Sequence, residues 1–232
     1  MHAAILYLLD GEPATETLPS DTDGGLPAAT ADRDDYLDGR TIHSGTLAGH
    51  VYEETTVPLV YDGGITTERE ERRRETVVDY YADLDTGWAG ITSSDGGALL
   101  EDYLRSVGVV PQPAVLDLDA FAERLERTDD ATVTGSVYSQ SIDEGHQRDA
   151  SRASWHEDAP GVYGLPTEGN RLLAVSYWWD GLRVEAALAA SGYVAVYSEW
   201  AESTFARWVA DEIEPLLSPE EKAQQTLGGD DA

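Results

Sequence analysis

The chain lacks cysteine, and it has one lysine (Lys222), one asparagine (Asn170), one methionine (Met1) and two phenylalanines. Without cysteine there is no disulfide framework, no thiolate metal site and no cysteine nucleophile. With Lys222 as the sole lysine and no G-x-x-x-x-G-K-[ST] motif, neither P-loop nucleotide chemistry nor kinase or Schiff-base lysine chemistry is expected. No G-x-G-x-x-G follows a strand pattern, so no Rossmann dinucleotide site is expected. G-x-S-x-G and H-E-x-x-H are absent as well, which removes the common signatures of serine hydrolases and zincins. No apolar run approaches the roughly 20 residues of a membrane-crossing helix, the longest near the start being Ala3–Leu9. That run lacks a basic flank and meets Asp10 and Glu12 at once, so it does not read as a signal peptide. The expectation is a cytoplasmic protein.

What is abundant is negative charge. Over 232 residues, 45 acidic side chains face 15 basic ones, for a formal net charge of -30. Such a surface repels itself at low salt and becomes tolerable where salt shortens the Debye length to about 3 Å. Acid excess, near-absence of lysine and absence of cysteine together fit a halophilic cytosol. A mimic of DNA's phosphate charge is the competing reading. The aromatic content, 12 tyrosines and six tryptophans, argues for a packed core.

The length suits a single domain over residues 1–217, with possible halves at 1–128 and 129–217 and a flexible acidic tail at 218–232. Ala3–Leu9 reads as a buried strand. Residues 10–40 are acidic, rich in Gly, Pro, Thr and Asp, and read as a long loop for which disorder is favoured. Strands are expected over 41–52, 57–61, 77–84 and 88–92, with turns at Asp62-Gly63-Gly64 and Asp85-Thr86-Gly87. Thr67 with Glu70 also fits a helical capping box, which leaves helix open for the charged run that follows. A helix capped by Ser94 or Asp95 should run to Arg105, and a second should open at Asp117 or Asp119. After a strand at 131–139 and a second long loop at 141–169, three strands form a meander over 172–197. A helix follows from Glu199 to Leu217.

Thr86-Gly-Trp-Ala-Gly-Ile-Thr-Ser-Ser lines up with Ser191-Gly-Tyr-Val-Ala-Val-Tyr-Ser-Glu, each running from a glycine turn through a strand into a helix. The fold class is therefore α+β: a mostly antiparallel sheet with helices packed on one face, compatible with a pseudo-twofold duplication of a β-meander–helix unit.

Three groups of residues are candidates for function. His146 and His156 share the second loop with Asp143, Glu144, Asp149, Glu157 and Asp158, a set able to bind Zn or Mn or to supply an acid–base pair. His43 and His50 fall on opposite faces of a strand and are not natural co-ligands. The run Glu68–Glu75 holds four Glu and four Arg, so its charge cancels. It reads as a salt-bridged surface, or as Arg72, Arg73 and Arg74 gripping an anion from one side. Trp178 and Trp179 end a strand and must face opposite ways, and Trp155 sits in the polar loop. Each is a candidate contact residue.

The reading that results is a non-enzymatic binding or regulatory module acting through protein–protein contacts, with a protein partner or a second copy of itself. Nucleic acid is possible but not indicated, and no membrane is involved. The alternative is a metal-dependent hydrolase or nuclease with its site at 143–158.

Overall fold

The computed structural model describes residues 1–14, 16–24, 26–35, 40–61, 64–127, 131–137 and 172–220. Strand β1 (His2–Asp10) is followed by the short β2 (Ala28–Ala29) and β3 (Asp32–Asp35), then by the long β4 (Thr41–Tyr61) and β5 (Gly64–Asp83) and by β6 (Trp88–Ile91). Helix α1 (Gly97–Ser106), strand β7 (Val110–Leu116) and helix α2 (Leu118–Glu126) lead to β8 (Thr132–Val137). The chain closes with β9 (Leu172–Trp179), β10 (Leu182–Ala189), β11 (Tyr193–Val196), helix α3 (Glu202–Trp208) and β12 (Leu217–Pro219). Every strand pairing among the described residues is antiparallel, in the order β2-β4-β5-β6-β1-β11-β10-β9-β8, with β3 also on β4 and β7 bridging β1 and β12. The α+β class stands.

The first strand is the seam of the sheet. Ile5–Leu8 pairs with β6 on one edge, while on the other edge His2–Ile5 pairs with β11 and Tyr7–Asp10 with β7. Its unbroken apolar run serves both faces, because successive side chains alternate across a strand. Ala4 and Leu6 enter a core built with Phe121 of α2 and with Phe205 and Trp208 of α3. Ile5, Tyr7 and Leu9 pack on a second core with Leu99, Leu100 and Leu104 of α1. The helices therefore cover both faces, against the expectation of one. The reason is that β1, β5 and β6 carry large apolar residues at consecutive positions, such as Tyr80 with Tyr81 and Trp88 with Ala89, and each face needs cover.

Helix α1 begins after a short turn over Ser94–Gly96, where the Ser93 hydroxyl accepts from the Asp95 N–H. Asp117 caps α2 by accepting from the N–H groups of Asp119 and Ala120. Helix α3 is shorter than the periodicity predicts: it passes into one π turn at Val209–Ile213 and a tighter turn at Glu214–Leu216, where Pro215 cannot donate to the helix ladder. The buried turn carboxylate of Asp83 accepts from the N–H groups of Asp85 and Thr86 and so sets the β5–β6 hairpin. Trp208 Nε1 donates to the Tyr177 hydroxyl at 2.7 Å inside the core.

Four expectations change. Residues 10–40 are not a free loop among their described parts: Leu18 and Ala29 are buried beside α1, and β2 and β3 add to the edge of β4. The strand β7 was hidden by Pro111 and Pro113, residues that a sheet tolerates where the missing N–H faces away from a partner. The strands expected at 41–52 and 57–61 are one strand, and the charged run belongs to β5 rather than to a helix. The tail begins later than residue 218, because Leu217–Pro219 pairs with β7 and Glu220 donates its N–H to the Pro113 carbonyl.

The core makes two stability predictions. Leu6→Ala should cost about 2–5 kcal/mol by emptying the centre of β1. Tyr177→Phe should cost about 1–3 kcal/mol, since it strands the buried Trp208 N–H. Urea unfolding in molar KCl, read by tryptophan fluorescence, measures both.

Candidate functional site: a projecting two-stranded arm

Strands β4 and β5 continue far past their neighbours. On one side β2 leaves β4 at Ala48, and on the other β6 accompanies β5 only over Tyr80–Asp83. Beyond those points β4 and β5 pair, among the described residues, only with each other, from Gly49↔Thr76 out to Tyr61↔Gly64. At about 3.3 Å per residue, His50–Tyr61 makes an arm roughly 35–40 Å long. The local sequence supports this shape: β-branched residues recur at Val51, Thr55, Thr56, Val57 and Val60, and Tyr61 and Gly64 pair across a two-residue link. A two-stranded ribbon buries little of itself and is marginally stable alone.

Alternation gives the arm two faces. Even positions of β4 share a face with odd positions of β5, as the register Tyr52↔Arg73 and Val60↔Ile65 requires. That face carries Tyr52, Val60, Ile65 and Val77, which are 63%, 77%, 75% and 70% exposed, so most of each apolar side chain meets solvent. Glu54, Glu71, Arg73 and Glu75 lie among them. The opposite face carries Glu53, Glu70, Arg72 and Arg74.

The three arginines do not face one way. Arg72 pairs with Glu70 at 3.4 Å, and Arg74 pairs with Glu53 at 3.7 Å and with Asp95. Those carboxylates raise the Arg74 pKa further. Arg73, on the other face, donates to His50 Nε2 at 2.5 Å and meets no carboxylate within ion-pair distance among the described residues. An open depression of about 560 Å³ is lined by His50, Arg73, Arg74 and Glu75. An anion held by all three guanidinium groups at once is thus not what this strand provides.

The tryptophan pair divides as alternation demands. Trp178 is half exposed, while Trp179 is buried against Trp200 (centroids 5.9 Å apart) with the Arg207 guanidinium over its ring. His146, His156, Asp143, Glu144 and Trp155 lie outside the described residues. Among the described residues no group of three or more His, Asp or Glu side chains is placed to hold a metal ion.

Comparison with known proteins brings no further guide: no family model, no curated protein and no solved structure matches this chain. No helix among the described residues is long and apolar enough to cross a membrane.

Sequence reasoning passed over the arm because it split β4 in two and read the charged run apart from its strand. The available signal was local: β-branched residues recur on both sides of Glu53-Glu54, and Tyr61 and Gly64 flank a two-residue link. His43 and His50 do fall on opposite faces of β4, and His43 is buried near Asp83 and Asp85.

Burial lowers the His43 pKa below its ordinary 6.5, and the charge of Arg33 adds to this, while a backbone hydrogen bond to Glu16 and the two aspartates oppose it. The folded state thus binds the proton less readily than the unfolded chain. Stability from this group is complete above the ordinary histidine range and is lost as pH falls through it. The melting-temperature difference between wild type and His43→Gln should therefore shrink between about pH 7 and about pH 5. Thermal scans of both proteins at constant ionic strength measure it.

Proposed function

We propose that the chain is a non-enzymatic binding or regulatory module of a halophilic cytosol, acting through protein–protein contacts made by the β4–β5 arm. One observation carries the reading: a ribbon that cannot bury its own apolar side chains projects from a well-packed body. Exposed apolar side chains recur along the ribbon, from Val77 near its root through Tyr52 to Val60 and Ile65 at its tip, and a free strand edge offers backbone hydrogen bonds to another chain. The body supplies rigidity, and the arm supplies reach.

The acid excess fits the proposed salt-rich setting, because screening at molar salt removes the long-range repulsion that a charge of -30 would otherwise place between the module and an acidic partner. We also propose that the body arose by duplication of a β-meander–helix–strand unit. Gly87 and Gly192, both with positive φ, open β6 and β11. Helices α1 and α3 then start at Gly97 and Glu202, the same distance beyond each glycine, and each helix is followed by a strand, β7 or β12.

A shortened variant tests the function. Residues 51–74 are replaced by an Asn-Gly turn joining His50 to Glu75, which face each other across the ribbon. The melting temperature of the body should stay within a few degrees of wild type, since surface changes away from the core cost about 0.5 kcal/mol or less. In molar KCl the full chain should run by native mass as a dimer or a stable complex, and the shortened chain as a single copy. A full chain that is a clean monomer, or a shortened chain that keeps every association, overturns the reading.

A further inference from the structure

The edge of β5 left unpaired among the described residues carries a charge order that is its own complement on either side of Arg72. Counting outward from Arg72, Arg73 mirrors Glu71, Arg74 mirrors Glu70, and Glu75 mirrors Arg69. Each of these three steps pairs opposite signs, while Arg72 falls opposite Arg72 on the axis, each held by Glu70 of its own chain at 3.4 Å. In an antiparallel pairing of two identical strands centred on one residue, these mirrored positions lie directly opposite each other.

We propose that a second copy of this chain is the occupant of the arm, pairing β5 with β5 in antiparallel register about Arg72 to make one sheet across a twofold axis. The proposal rests on the reading of the arm as a contact element and names its partner. Three observations favour this occupant over another protein.

The backbone is available. Asp79 turns its groups outward, its carbonyl accepting from the Thr92 N–H and its N–H donating to the Thr92 hydroxyl. Alternate residues of an antiparallel strand point to the same edge. The groups of Arg69, Glu71, Arg73 and Glu75 thus face the same way, where no strand pairs with them among the described residues.

The side chains left over within one copy fit each other. Arg69, Arg72 and Arg74 already meet Glu54, Glu70 and Glu53. Arg73 meets no carboxylate, and Glu71 meets no cation, among the described residues. The register centred on Arg72 sets Arg73 of each copy opposite Glu71 of the other, twice per dimer. Both lie on one face, so the pairing geometry is consistent with an axis perpendicular to the sheet. It also brings Val77 opposite Thr67, a β-branched cross-strand pair.

The charge balance is local. The run Glu68–Glu75 has four acids and four bases in a chain of net charge -30, so the approach of a second copy costs least here.

The test is a charge exchange, read by sedimentation equilibrium in molar KCl, with hydrogen exchange of the β5 amides alongside. Wild type should sediment at twice 25.2 kDa, with Arg69–Glu75 protected. Glu71→Arg alone sets Arg against Arg, and Arg73→Glu alone sets Glu against Glu. Each should weaken self-association roughly tenfold or more, since two attractive cross-strand pairs become repulsive. The double variant Glu71→Arg/Arg73→Glu should recover the wild-type dimer. Mixing the two single variants should give a heterodimer, because a pair of arginines on one chain then faces a pair of glutamates on the other. Both positions are exposed, so the folds of the single variants should be intact by circular dichroism. A monomeric wild type overturns the proposal, and so does a dimer indifferent to the single substitutions or not restored by the double one. A wild type that stays single yet binds another protein through the arm overturns this inference alone and leaves the contact function standing.

Discussion

The structure depends on a strand that is buried on both faces and paired on both edges. Residues Ala4–Leu9 leave no side chain idle: Ala4, Leu6 and Leu8 pack with the core under α2 and α3, and Ile5, Tyr7 and Leu9 with the core under α1. The two edges are shared out along its length among β6, β11 and β7. A change in the register of β1 would exchange the two sets and place both cores in conflict with their helices. The meanders on either side are thereby fixed relative to each other, although they are distant in the sequence.

The arm follows from the same constraint. Strand β5 is held along Tyr80–Asp83 by β6, and its buried residues there alternate into both cores. Outward from that anchor charged residues fill the middle of the ribbon and exposed apolar ones return at its tip, so the two strands stay paired while the cover on their faces ends. Hydrogen bonding along β4 and β5 needs no core to persist, but it gives little net stability once exposed to water. The ribbon is thus well defined in direction by its root and poorly stabilised at its tip, a combination suited to docking on another surface.

Much of the fold was legible in the sequence. The meander β9–β10–β11, the Asp117-capped helix α2 and the hairpin glycines Gly87 and Gly192 carry local signals, because turn chemistry and helix caps act over a few residues, whereas α1 starts at Gly97 without a cap from Ser94 or Asp95. Less of the arm was legible. Thr67 with Glu70 fits a helical capping box while the charged run to Glu75 also fits a strand, and only pairing with Glu53–Thr55 and its neighbours in β4 decides between them. The placement of β7 was hidden for a similar reason: two prolines disfavour a strand locally, yet the edges offered by β1 and β12 hold it.

The sequence alone determined the charge of -30, the closed list of lysine and cysteine chemistries, the α+β class and the order of most elements, since composition and short-range periodicity are properties of the chain itself. The tertiary structure decided which face each helix covers, that β2 and β3 fold against β4, that Arg73 is separated from Arg72 and Arg74, and that Arg73 and Glu71 are left without ionic partners among the described residues. Those facts arise from contacts between residues far apart in the chain. No local pattern encodes them, because the side of a strand that is buried depends on what lies beside it.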